Sequence, residues 1–156
     1  TRMIMIQNKN EQAVIEDVIN RLYTIGINKR FEDLNQLCIS DESYSRFDDA
    51  HPYSIQDFNT ASSLIQLRYA GISDYKFKIR NLKVDIYNDI ALAIFYLSYM
   101  GVAVDGYSFR GQSVHAKSRV TLVLRKLQGS WRVIHEHLSK MPDESVQEDE
   151  ADQKFS

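Results

Sequence analysis

A single cysteine, Cys38, in 156 residues leaves no internal disulfide and too few thiols for a zinc-finger cluster. A reducing, cytoplasmic setting is expected of such a sequence. Two prolines and six glycines argue against a loop-rich scaffold and for long regular elements. No apolar run approaches the ~20 residues of a membrane span, and Thr1-Arg-Met-Ile-Met-Ile6 is too short for a signal-peptide core. A glycine-rich phosphate loop, a Ser/His/Asp motif and a nucleotide fingerprint are all absent, so no cofactor is expected.

What is present is ordinary for a globular domain: 44% hydrophobic, 26% charged and 11% aromatic residues, with nine tyrosines. The net charge of −2 hides an asymmetry. From Asp143 onward there are six acids and one base, so this stretch carries −5 and residues 1–142 carry +3. With a pI near 6.1 and no Lys/Arg block, neither nucleic acid nor a membrane is an expected partner. Residues 143–156 read as a solvated, disordered acidic tail whose loss should barely change stability. Residues 8–142 read as one domain without repeats.

The first half reads helical and the second half as strands, an α+β pattern. Val14, Val18, Leu22 and Ile25, widened by Ile15, Ile19 and Tyr23, predict a helix over Glu11–Ile25, capped by Asn10 and stopped by Gly26. Phe31, Leu34, Leu37 and Cys38 mark a short second helix, with Cys38 in the core. Ser43–Phe47 alternates like a short strand. Ser54-Ile-Gln-Asp57 reads as a capping pattern before a third helix carrying Ile55, Phe58, Ser62, Ile65 and Tyr69 on one face.

Four strands in a meander follow. Tyr75, Phe77 and Ile79 alternate in one phase, and Leu82, Val84 and Ile86 in the other. The slip near Arg80-Asn81 predicts a β-bulge and hence a curved sheet. Ile90–Val104 is apolar on both faces and reads as a central strand. Asp105-Gly106 signals a hairpin before a strand over Phe109–Leu127, and Gly129 turns the chain into Trp131–Leu138. The expected architecture is three N-terminal helices covering a cone-shaped, curved antiparallel sheet, with a cavity under the long helix.

The last strands carry the candidate chemistry. On Phe109–Leu127 one face holds Ala116, Ser118, Val120, Leu122 and Leu124, and the other His115, Lys117, Arg119, Thr121 and Val123. One reading points the Arg119 row into a polar pocket and the apolar row at a dimer partner. The other reading leaves the Arg119 row in solvent. His135 and His137 share a face with Trp131 and Val133, while Glu136 lies opposite, and a bulge would exchange the two. Two histidines lack a third metal ligand, and no metal site is expected. Acid–base chemistry on a carbonyl compound needs a carboxylate facing a phenol. Asp48 or Asp49, after strand Tyr44–Phe47, could be the base, and Asp48, Tyr23 and His135 are the candidate catalytic residues. Arg119, Tyr23, Phe58, Tyr96, His115, Glu136 and His137 are the candidate ligand-binding residues.

Arg119-Val-Thr121, Lys126-Leu-Gln-Gly129 and Trp131-Arg-Val-Ile-His135-Glu-His137-Leu-Ser139 resemble a run in nuclear transport factor 2-like proteins. The SnoaL-like branch is the nearest in pattern, and it resembles the association domain of calcium/calmodulin-dependent protein kinase. The resemblance implies a cone-shaped α+β fold, a homodimer and a pocket under the long helix. In that association domain a pocket arginine on the penultimate strand matches Arg119. Its second pocket arginine is replaced by Leu138. Fold does not fix function in this group. The expected function is small-molecule binding by a homodimer. The alternatives are an acid–base enzyme of isomerase, dehydratase or hydrolase type on a hydrophobic carbonyl or polycyclic substrate, and an oligomerisation module.

Overall fold

The computed structural model describes residues 2–104 and 111–142. The Asp105-Gly106 turn, the start of the strand predicted from Phe109 and the acidic segment from Asp143 lie outside the described residues. Helix α1 spans Arg2–Asn28, a 3₁₀ turn covers Phe31–Asp33, and α2 is the short Leu34–Leu37. Strand β1 (Ser45–Phe47) and helix α3 (Phe58–Ala70) follow. Strands β2 (Ile72–Tyr87), β3 (Ile90–Val104), β4 (Gly111–Leu127) and β5 (Ser130–Lys140) complete the chain.

The strands form one sheet in the order β1-β5-β4-β3-β2. The meander β2 to β5 is antiparallel, as expected, but β1 joins β5 in parallel, so the sheet is mixed. Between β1 and β5 the chain runs through α3 and strands β2 to β4, a connection long enough to permit the parallel pairing. The architecture is α+β, with helices on the concave side of a curved sheet.

Curvature comes from register slips. The predicted slip in β2 lies between Arg80 and Lys83, and a second lies between Ser73 and Lys76. In β5, Val123 and Leu124 of β4 pair with His135 and Val133, which leaves Ile134 as the extra residue of a bulge. Each slip changes which residues meet the core. Trp131 and Val133 point inward before the bulge, and Glu136 and Leu138 after it.

Helix α1 starts nine residues before the predicted Glu11. Residues 2–10 are all exposed, so no burial stripe marks them, but no helix breaker interrupts them either. Its buried face is Ile15, Val18, Ile19, Leu22, Tyr23 and Ile25, whereas Val14 is half exposed. Gly26 does not stop the helix. A Cβ there would lie 2.6 Å from the Tyr75 ring, so glycine lets α1 sit close on β2. The helix ends at Lys29 in the left-handed region, φ 60°. Lys29 Nζ donates to the carbonyls of Gly26, Tyr69 and Ile72 at 2.7, 2.5 and 2.7 Å, tying the ends of α1 and α3 to the start of β2. Helix α3 begins at Asp57, whose carboxylate accepts from Thr60 N at 2.8 Å. Ile55, expected on its inner face, precedes the helix and is exposed.

Candidate functional site

Strand β1 positions the central residue. Its pairing sets Ser45, Arg46 and Phe47 opposite His135, Glu136 and His137. Arg46 and Glu136 therefore face inward together, and their neighbours face outward. Arg46 Nε donates to Glu136 Oε1 at 2.5 Å. From α1, Tyr23 Oη donates to the other oxygen, Glu136 Oε2, at 2.8 Å. Both carboxylate oxygens are thus engaged, at a residue only 4% exposed.

The network continues toward the mouth of the cone. Arg46 Nη1 donates to Asp48 Oδ2 at 2.9 Å and to Gln56 Oε1 at 3.2 Å. Arg68, on α3, donates to the same Asp48 oxygen at 2.8 Å and lies 3.7 Å from Asp49 Oδ1. Ser118 of β4 donates to Asp49 Oδ2 at 2.5 Å. A backbone bridge between Arg46 and Gln56 folds the intervening loop onto β1 and delivers Asp48 to its partners. Gln56 Nε2 is buried without a partner among the described residues.

Each charge answers to its surroundings. Burial and the Glu136 carboxylate raise the Tyr23 phenol well above its ordinary range, so it remains a donor. Burial opposes the Arg46 charge, but Glu136 and Asp48 outweigh it and hold the guanidinium protonated. Burial pushes Asp48 up, and Arg46, the hydrogen bond with the Asp49 side chain and Arg68 more than offset it, leaving Asp48 below the usual carboxylate range. Asp49 goes the other way, raised by burial and by the adjacent Asp48. Neighbouring aspartates therefore sit on opposite sides of their ordinary value.

Two hollows meet this network. A small one of about 20 Å³ lies among Tyr23, Arg46, Arg68, Tyr99, Glu136 and Leu138, with room for about one water. An open recess of about 190 Å³ is lined by Asp49, Arg68, Tyr99 and Lys140, with walls from Ile72 and Val114. Arg68 and Tyr99 line both. The larger groove, about 760 Å³, lies apart at the end of α1, between Lys29, Tyr75, Met100 and His115. Its volume outranks the recess, but it does not touch the charged network, and its Lys29 is held by three carbonyls.

The structure brings together three of the sequence-predicted site residues. Tyr23 and Glu136 are in direct contact, and Asp48 joins them through Arg46. Phe58 is buried near the network, its ring edge-on to Tyr44 at 5.5 Å. The remaining candidates lie elsewhere. Val120, Leu122 and Leu124 are core residues, 3%, 0% and 0% exposed, so the Arg119 row is the outer one and not the pocket-facing one. Arg119 is exposed, donating to Ser139 Oγ at 3.1 Å, with Tyr96 opposite it in register. The physical reason is that β4 must bury its apolar row under the helices. His115 is exposed beside Met100. His135 faces outward with Nδ1 2.8 Å from Ser45 Oγ, and burial lowers its basicity. His137 packs outside against Phe47 at 5.3 Å. The Ile134 bulge moves both histidines off the inner face that Trp131 and Val133 occupy. Among the described residues, no three His, Cys, Asp or Glu groups could hold a metal.

Arg46, Arg68 and Ser118 were not among the sequence candidates. Arg68 carried a usable signal, because it continues the helical stripe Ala61, Leu64 and Ile65 of α3. Arg46 carried a weaker one, sharing a strand face with Tyr44.

Among solved structures, a nuclear transport factor 2-like superfamily protein from Salmonella enterica serovar Typhimurium is similar at 20% identity. The match covers 87% of this chain and 94% of that one, with a TM-score of 0.74. Hexachlorocyclohexane dehydrochlorinase LinA type 2 is similar at 14% identity, covering 88% and 89%, with a TM-score of 0.71. The association domain of C. elegans calcium/calmodulin-dependent protein kinase II is similar at 20% identity, covering 86% and 96%, with a TM-score of 0.61. These identities establish a shared fold and not a shared activity. Curated protein sequences give no match. The SnoaL-like domain family matches residues 15–144, which takes in every member of the network from Tyr23 to Glu136. On that span the chain belongs to the SnoaL-like domain family, and its cone of helices over a curved sheet is the fold it shares with nuclear transport factor 2-like proteins.

Proposed function

We propose that this chain is a homodimeric small-ligand-binding domain whose ligand enters at Asp49, Arg68, Tyr99 and Lys140. The observation that carries the reading is Arg68. Its side chain is 24% exposed at the recess, yet its guanidinium reaches Asp48, which is 3% exposed. It thus joins an open recess to a buried charged network. Aliphatic walls, the Tyr99 phenol and the two cations suit a flat amphipathic molecule bearing one carboxylate or carbonyl group. At 190 Å³ the recess takes a small fragment, and a larger ligand requires Arg68 and Tyr99 to swing aside and join it to the inner hollow.

The enzyme alternative draws on the Tyr23–Glu136 pair, a phenol on a carboxylate, and on the dehydrochlorinase that shares the fold. Against it, both Glu136 oxygens are already engaged, one by Arg46 and the other by Tyr23, so neither is free to face a substrate in this arrangement. Dimerisation is supported by the outer face, where Ile94 and Phe47 are 42% and 37% exposed on the same side as Thr121 and Val123.

The test is a thermal-shift screen of small aromatic carboxylates, followed by titration of the best binder against wild type, Arg68→Met and Arg119→Ala. Arg68→Met should bind about ten- to a hundredfold more weakly, and Arg119→Ala should match wild type. Equal affinities for wild type and Arg68→Met would contradict the reading. Turnover of a bound compound that Glu136→Gln abolishes, with binding kept, would favour the enzyme.

A further inference from the structure

The outer face of the sheet carries a basic grid that the proposed ligand site does not use. Register sets Lys76, Met100 and His115 in one row across β2, β3 and β4. Lys78, Ser98 and Lys117 form the next row, and Arg80, Tyr96 and Arg119 the third. These nine positions include five Lys or Arg residues, one histidine and no carboxylate. Lys76, Lys78, Arg80 and Arg119 are exposed, and none has an ion-pair partner among the described residues. A shallow depression of about 340 Å³ runs through the grid, lined by Lys76, Lys78, Arg80, Met100, His115 and Lys117.

The described chain leaves the fold at this grid. Lys140 pairs with Ser118 at the end of β5, and Met141 N donates to Lys117 O at 2.8 Å. The segment that follows, residues 143–156, holds Asp143, Glu144, Glu148, Asp149, Glu150 and Asp152 against a single Lys154. Ten residues span up to about 33 Å, while crossing from β4 to β2 takes only about 10 Å. The acids therefore reach every row.

We propose that residues 143–152 dock on the basic grid of the same chain, held by charge rather than by folding. Opposite charges at this density attract across an exposed face, and the attraction is screened once the Debye length falls to a few ångströms. The segment then occupies the Lys78–Arg80–Arg119 surface and competes with any other anion for it. This proposal is independent of the ligand site.

The test uses the full chain with Ala151→Cys carrying a nitroxide. Cys38 is only 2% exposed, so the label goes to the new thiol. Amide signals of Lys78, Ser98 and Lys117 should lose most of their intensity at about 20 mM salt and recover at about 500 mM. Lys78→Gln/Arg80→Gln/Arg119→Gln should abolish the effect while leaving the fold's spectrum intact. Unbroadened signals at low salt would overturn the proposal, as would broadening that survives high salt or the triple variant. A mixture of nitroxide-bearing, isotopically silent chains with unlabelled-thiol, ¹⁵N chains should show no broadening. Broadening there would make the occupant a second copy. A single-stranded DNA oligomer should bind more tightly when Glu148, Asp149, Glu150 and Asp152 are changed to amides. Unchanged DNA affinity would likewise overturn docking in cis.

Discussion

Asp48 and Asp49 are adjacent in sequence, yet their carboxyls are shifted in opposite directions. Asp48 faces Arg46 and Arg68, which hold it below its ordinary value. Its stabilising contribution is therefore present above the unfolded value and is lost as pH falls through the folded one. Asp49 is raised by burial and by Asp48, so its ionisation opposes folding at neutral pH, and that opposition fades on acidification. Asp48→Asn should destabilise the protein at pH 7 by about 3–5 kcal/mol, because it leaves two guanidiniums short of a buried partner. Asp49→Asn should stabilise it at pH 7, with the gain vanishing by about pH 3–4. Denaturant unfolding across this range checks both, and two variants of the same sign would contradict the assigned electrostatics. At the same scale, Tyr23→Phe removes one hydrogen bond to a charged acceptor and should cost about 1.5–3 kcal/mol. A cost near zero would mean that Glu136 is served by water instead.

Lys29 closes α1 and α3 onto β2 through three carbonyls, so Lys29→Met should cost at least about 1.5–3 kcal/mol in denaturant unfolding. Gly26→Ala should cost about 1–3 kcal/mol, since the new methyl would meet the Tyr75 ring 2.6 Å away. Full wild-type stability in that variant would mean that α1 can lift from β2 freely. The same elements show what the sequence made legible. Alternation in β2 revealed its bulge, because Phe77, Ile79, Leu82 and Val84 are apolar and the slip interrupts a clear period. Alternation in β5 was ambiguous, because Trp131, Val133 and Ile134 are all apolar while Glu136 and both histidines are polar. No residue there announces that Ile134 is the extra one. The β4 faces stayed open between two readings because both rows end in apolar residues, and only packing under the helices decides between them. Tyr23, Asp48 and Glu136 were accessible as candidates. Arg46 and Arg68 were missed although their strand and helix spacing hinted at them, because an arginine in a charged network is recognised by its partners, and these come from β1, β5, α3 and the loop between β1 and α3.

At the scale of the whole molecule, the sheet divides two kinds of surface. Its concave side is filled by Ile15, Ile19, Leu97, Leu122 and Leu124, with the charged network toward the mouth. Its convex side is apolar around Ile94, Val123 and Phe47, and basic around Lys78, Arg80 and Arg119. Two copies facing each other through their basic grids would repel, so association should centre on the apolar end. Ile94→Asp is accordingly expected to shift sedimentation at micromolar concentration from a dimer to an 18 kDa monomer without unfolding the chain. A wild-type monomer would remove the assembly part of the reading and leave the interior site as it stands.

Electron density for a bound ligand tests the interior site. A crystal of the protein soaked with the best-binding aromatic carboxylate should show the carboxylate between Arg68 and Lys140, with its ring against Tyr99 and its far edge toward the hollow above Glu136. Density at the outer face beside Arg119, or in the groove between Lys29 and His115, with the recess empty, would contradict the account.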